Sequence, residues 1–301
     1  MRTNRIVRLP AAARLLCLLF LLPALAGAQA PASSGKSFLW EVRSDRSRVF
    51  LLGSIHFLRG EDYPLQQTIE ESFARAKKVV LEIELDGAAP ERIQQLTLEK
   101  GLFRNGKTLR QSVAPETYEL ARSRAKELGV DVETLEPFKP WVVALTLASL
   151  KLKKLGYDPS LGVDRYLARR AKEANKPLAG LETAEFQIAL FDGFSAREQE
   201  QMLLQTLREM DLLDKSVERI VQSWRTGDAA ALADLMLASM RQYPEVHRKL
   251  IEDRNRRWVP QIERLLAEGD DALVVVGAAH LVGEAGVLEL LRARGYRVEQ
   301  K

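Results

Sequence analysis

The sequence predicts an α/β fold: a central sheet built from N- and C-terminal strand-GxxH-helix-strand units, with a large helical insertion, approximately residues 100–270, between them. Two observations carry the prediction. First, two of the three histidines share a setting, Val49-Phe50-Leu51-Leu52-Gly53-Ser54-Ile55-His56 and Leu273-Val274-Val275-Val276-Gly277-Ala278-Ala279-His280. An apolar run that ends in glycine reads as a buried strand followed by a sharp turn, because glycine takes positive φ without steric cost. Second, the stretch between the two copies is almost all of helical periodicity.

Residues 1–30 read as a secretory signal, to be removed from the mature chain. Arg2, Arg5, Arg8 and Arg14 precede an apolar stretch over 15–25, and two A-x-A sites place cleavage after Ala28 or Ala30. The expected location is periplasmic or secreted, with no stable membrane insertion after cleavage. Cys17, the only cysteine, lies inside this segment, so the mature chain offers no disulfide, thiol nucleophile or thiolate ligand. The signal also accounts for the net charge of +4: without its four Arg, 41 basic residues face 41 acidic ones. A nucleic-acid partner is therefore not expected.

The first unit begins with a hairpin, strands over 38–42 and 48–52 around the polar turn Ser44-Asp45-Arg46-Ser47. A helix over 65–76 and a strand over 79–85 follow. The insertion then holds helices over 115–128, 141–155, 164–174 (Asp164 reading as its N-cap), 195–212, 216–224 and 228–240. Its last helix, over 244–267, should kink or break at Pro260. One strand-like piece, 177–181, interrupts the helices and ends at Glu182. The second unit has a strand over 272–276, a helix from about 284 to 294, Gly295 as its C-cap, and a strand over 296–298. No low-complexity linker divides the chain, so residues 36–301 are expected to form one domain.

Ligands in such sheets bind outside the carboxyl ends of the strands, where His56 and His280 could converge on a metal. The strand over 79–85 puts Glu82 and Glu84 on one face. A carboxylate in so apolar a run is either on the wet face of an edge strand or buried with a cation or metal. Two imidazoles and a carboxylate suit Zn, Mn, Co or Fe(II), whose chemistry is hydrolytic. Glu84 or Glu182 could act as general base, and Arg254 or Asn255 could meet a substrate carboxylate or an oxyanion. His247, beside Arg248 and Lys249, reads as solvated. No GxSxG elbow or phosphate loop is present.

These residues resemble the TraB/GumN family, which includes the TIKI metalloproteases. The likeness runs through Leu51 to His56, Leu81-Glu82-Ile83, Lys139-Pro140-Trp141, Gly162-Val163-Asp164, Gly180-Leu181-Glu182-Thr183, Arg254-Asn255 and Val276 to Gly283. The resemblance implies a divalent-metal peptidase (Mn, Co or Zn) with His56, Glu82 and His280 as ligands. Glu82, Glu182 and Arg254 are the catalytic candidates, and the partner is a peptide or protein substrate. The alternative is a non-catalytic envelope protein that binds a peptide, metal or haem, or an accessory of polysaccharide export.

Overall fold

A computed structural model of the protein describes residues 35–85, 89–237 and 243–301, so the predicted signal lies outside the described residues. Strands β1 (Leu39–Arg43) and β2 (Arg48–Ser54) form the predicted hairpin. Its turn is held by Ser44 Oγ, which accepts from the backbone N–H groups of Arg46 and Ser47. Helix α1 (Gln67–Arg75) leads to β3 (Lys78–Ile83), after which the chain becomes helical: α2 (Ala89–Gly101), α3 (Leu109–Ser112), α4 (Pro115–Glu127), α5 (Pro140–Lys154) and α6 (Val163–Glu173). Strand β4 (Leu178–Glu182) interrupts this series before α7 (Ala184–Asp192), α8 (Ala196–Glu209), α9 (Leu213–Arg225), α10 (Ala229–Leu237) and α11 (Pro244–His247). A π-helical turn, Arg248–Glu252, joins α11 to α12 (Asp253–Glu268). The chain closes with β5 (Ala272–Gly277), α13 (Ala278–Leu281), α14 (Val287–Arg292) and β6 (Arg297–Gln300).

The six strands form one sheet in the order β4-β3-β5-β2-β1-β6. The four from β4 to β2 run parallel, and β1 pairs antiparallel with both β2 and β6. All of β5 is buried, as a central parallel strand covered on both faces must be. The sheet and its covering helices share one apolar core, and the helices α2, α4, α5, α7 and α8 build a second beside it. Helix α5 supplies much of that second core, with Trp141 stacked on Phe191 at 5.7 Å.

Several local expectations are corrected. Strand β3 lies inside the sheet, and Glu82 is 6% exposed, so the wet-edge reading of that residue fails. Glu84 falls one residue past the strand and is exposed, so it does not share a strand face with Glu82. Helix α12 runs on through Pro260, and the irregularity comes earlier, in the π turn. Pro260 and Arg256 are both exposed, so the carbonyl that proline leaves without a donor can be met by water. The helix predicted from about 284 starts only at Val287, because residues 278–281 coil separately as α13.

Candidate functional site

The parallel strands end almost level. Ser54 of β2 pairs with Gly277 of β5, Leu81 of β3 with Val275 of β5, and Ile83 of β3 with Glu182 of β4. This register delivers His56, Glu82, Glu182 and His280 to one end of the sheet. Gly277 marks where they meet. A Cβ placed on it would lie 3.1 Å from Glu82 Oε1, 3.3 Å from His56 Nε2 and 3.6 Å from His280 Cδ2.

That geometry changes the role assigned to the two motif glycines. Neither has positive φ. Gly53 leaves room for the Phe38 ring, which a Cβ would meet at 2.4 Å, and Gly277 leaves room among the three polar side chains. Each GxxH glycine therefore serves close approach, not a left-handed turn.

Both imidazoles are anchored through Nδ1. His56 Nδ1 lies 3.1 Å from Asp164 Oδ1, and a carboxylate only accepts, so the Nδ1 proton points there. The segment Gly162-Val163-Asp164 builds this contact. A Cβ on Gly162 would lie 2.6 Å from His56 O, and the Val163 N–H donates to Ile55 O at 3.0 Å. Asp164, expected as an N-cap, sits inside α6 and holds His56, while Gly162 occupies the cap position. His280 Nδ1 lies 2.7 Å from Asn255 Oδ1. Asn255 Nδ2 donates to His280 O at 3.1 Å and Ala285 O at 2.8 Å, which turns its oxygen toward the ring and leaves the Nδ1 proton no other partner. Both Nε2 atoms are thereby left to the interior of the site.

Arg254 stands in that interior, 8% exposed, with all five N–H groups engaged. Nε donates to Glu182, Nη2 to Glu82 Oε2 at 2.6 Å and to Glu182 Oε2 at 2.9 Å. Nη1 donates to His280 Nε2 at 3.0 Å and to Leu250 O at 3.2 Å. The π turn just before α12 brings Leu250 O within this reach, and Trp258, one turn on, backs both the guanidinium (4.7 Å) and the His280 ring (4.4 Å). Glu82 is further held by the Gly277 N–H at 2.7 Å and Gln187 Nε2 at 3.0 Å.

These contacts set the protonation states. Burial alone would push the Glu82 carboxyl up; Arg254, the two imidazoles and the Gly277 N–H overcome it and hold Glu82 well below the usual carboxylate range. Burial, reinforced by the Arg254 charge, pushes His280 down to about 3, so it is a neutral acceptor. His56 moves the other way: burial disfavours its charge, but Asp164 more than compensates and raises it.

The residues fit a divalent ion in kind. Two imidazoles with Nδ1 anchored, and a deprotonated carboxylate, form the donor set of a zinc- or manganese-type site. Glu82, Glu182 and Asp164 also place more formal negative charge here than Arg254 alone balances. In this arrangement, however, Arg254 takes up the free faces of Glu82 and His280, and among the described residues no group of three or more His, Cys, Asp or Glu is disposed to hold a metal ion. Arginine is the cation at the strand ends.

The site opens into a cavity of about 210 Å³, walled by apolar side chains of α5, α7, α8, α9 and the π turn before α12. Ser54 lines its floor, and its buried hydroxyl is without a hydrogen-bond partner. The structure thus brings together His56, Glu82, His280, Glu182 and Arg254, and leaves Glu84 outside, exposed and not lining the cavity. Asn255 is committed to His280 and is not free for substrate. Asp164 and Gln187 were not legible as site residues. Asp164 looks like a helix cap, and Gln187 lies on a helix turn whose only signal is its position five residues after Glu182.

Comparison with known proteins places the chain in a family. The chain is 24% identical to an uncharacterized protein of Treponema pallidum, covering 93% of this chain and 90% of the relative. It is also 24% identical to the uncharacterized protein YbaP of Escherichia coli, over 87% of this chain and 96% of that one. Similarity extends to the metalloprotease TIKI1 of Homo sapiens, 25% identical over 87% of this chain but 61% of the relative. No solved structure matches. Residues 38–300 match the TraB/PrgY/gumN profile, and the chain belongs to the TraB/PrgY/gumN family.

Proposed function

We propose that this chain is an exported, metal-dependent hydrolase that cleaves peptide bonds, with the metal held by His56, Glu82 and His280. The observation that carries the reading is the meeting of two Nδ1-anchored imidazoles and a deprotonated Glu82 around Gly277, at the end of an apolar cavity. The distant similarity to TIKI metalloproteases supports the class of reaction. A divalent ion (Mn, Co or Zn) would supply Lewis acidity toward a carbonyl and a water. The chain's own residues do the rest. Asp164 and Asn255 fix the ring orientations, and the apolar walls exclude bulk water. Arg254 is the candidate for stabilising a developing oxyanion, and Glu182 is the carboxylate left to move a proton. For the metal to bind, Arg254 must release Glu82 and His280.

That last requirement favours a second reading, a protein that captures a peptide without turnover because Arg254 keeps its place. Metal titration of the mature chain with Mn, Co and Zn, paired with peptide-library cleavage, separates the two. The parent should bind one ion, and His56→Ala and His280→Ala should each lose it while staying folded. Unchanged stoichiometry in both variants would overturn the shared site, and a loaded parent that cleaves no peptide would leave the binding reading.

A further inference from the structure

At its helical end the same cavity carries a carboxyl that the strand-end cluster does not use. Glu209 is the last residue of α8 and is 7% exposed. Met202, Gln205, Thr206 and Glu209 recur at helical spacing, so one face of α8 forms this wall, and Leu213 of α9 continues it. The placement is unfavourable on three counts. The carboxyl is withdrawn from water, the cavity it faces is lined largely by apolar side chains, and it sits at the helix C-terminus, where the macrodipole disfavours negative charge. Burial accordingly pushes it up to about 7.

Its hydrogen bonding is also incomplete. Gln205 Nε2 donates to Glu209 Oε1, and the Tyr243 hydroxyl donates to Gln205 Oε1 at 3.2 Å, which fixes which end of the amide faces the acid. A carboxylate has about four acceptor positions, and Gln205 fills one. The other acid that lines the cavity, Glu82, has a cation in Arg254, which it shares with Glu182. Among the described residues, Glu209 has none. A buried, underpartnered acid at a point where burial, surroundings and dipole all oppose it is the kind of local inconsistency that marks a binding site.

We propose that Glu209 is an amine subsite: the cavity takes an apolar ligand whose primary ammonium group lies against this carboxylate while its other end reaches the His56–Arg254 cluster. Resting on the peptidase reading, the ligand is a short apolar peptide and the ammonium is its free amino terminus. An ammonium supplies three donors to the unfilled acceptor positions and the charge that Glu209 lacks. The apolar walls supply the rest by burial.

The test separates this subsite from turnover by reading binding alone. Hexylamine and hexanol are titrated calorimetrically into the mature protein at about pH 8, where an alkylamine is still an ammonium ion. The parent should prefer the amine by about tenfold or more, and Glu209→Gln should lose that preference while binding hexanol as the parent does. At about pH 7.5, where a peptide amino terminus is still mostly an ammonium, the same variant should bind a tri-leucine amide and its N-acetylated form equally, whereas the parent should favour the free amine. Thermal unfolding checks that Glu209→Gln is folded. Equal affinity of the parent for amine and alcohol, or a preference that survives in Glu209→Gln, would overturn the subsite. Absence of peptide cleavage alongside an intact preference would instead count against the hydrolase reading.

Discussion

Arg254 is where opposing demands meet on a single side chain. It neutralises two buried carboxylates and hydrogen-bonds the one imidazole that burial and its own charge keep neutral. Removing one partner of a buried ion pair leaves an uncompensated charge, which costs about 3–5 kcal/mol. Arg254→Gln should therefore lower the unfolding midpoint substantially in metal-free buffer. If the metal and Arg254 neutralise the same carboxylates, adding Mn or Zn should restore much of that loss, and should stabilise the variant more than it does the parent. Urea denaturation with and without metal measures both. An undiminished midpoint in the metal-free variant, or no larger gain on adding metal than the parent shows, would mean that ion and guanidinium do not exchange places.

Elements deliver these residues, and they show what a sequence can and cannot disclose. The two Gly-x-x-His copies, Glu82 and Glu182 were legible because strand periodicity is local, and a polar residue at the end of an apolar run stands out. The reason for the glycines was not. A tight turn and a close approach leave the same letter in the sequence, and only tertiary packing distinguishes them. The same holds for Asp164 and Asn255, whose partners lie far along the chain, and for the π turn, which no local residue signal announces. Gly277→Ala tests the packing account. Its φ of −50° and ψ of 134° suit alanine, so the backbone is not strained, but the new Cβ would crowd Glu82 and His56 while meeting His280 at an ordinary contact distance. Metal affinity should fall by about tenfold or more while the fold survives with a cost of about 1–3 kcal/mol. Parent-like affinity in the alanine variant would show that the proposed ligands do not need the space at Gly277.

On the scale of the whole molecule, the chain's two ends interlock in one sheet. Strand β5, from the C-terminal part of the chain, lies between β2 and β3, from its N-terminal part, while β6 sits on the far edge against β1. The two C-terminal strands therefore have unequal weight. Without residues 296–301 the chain loses the pairing of β6 with β1 and the Lys301 partner of buried Glu41, but Arg43 and Arg48 still reach that carboxylate and the parallel strands stay paired. The expected effect is a stability loss of about 2 kcal/mol, roughly 4–8 °C in Tm at this size, with metal binding kept. Without residues 270–301, β2 and β3 lose the strand that joins them, their apolar faces are uncovered, and His280 is gone. That shorter chain should show no cooperative unfolding transition. Circular dichroism melts of the two truncations decide the matter: a cooperative melt near the parent's from the chain ending at residue 269 would mean that the N-terminal strands and the helical region form a self-sufficient core, and that the interlocked sheet is not what holds the molecule together.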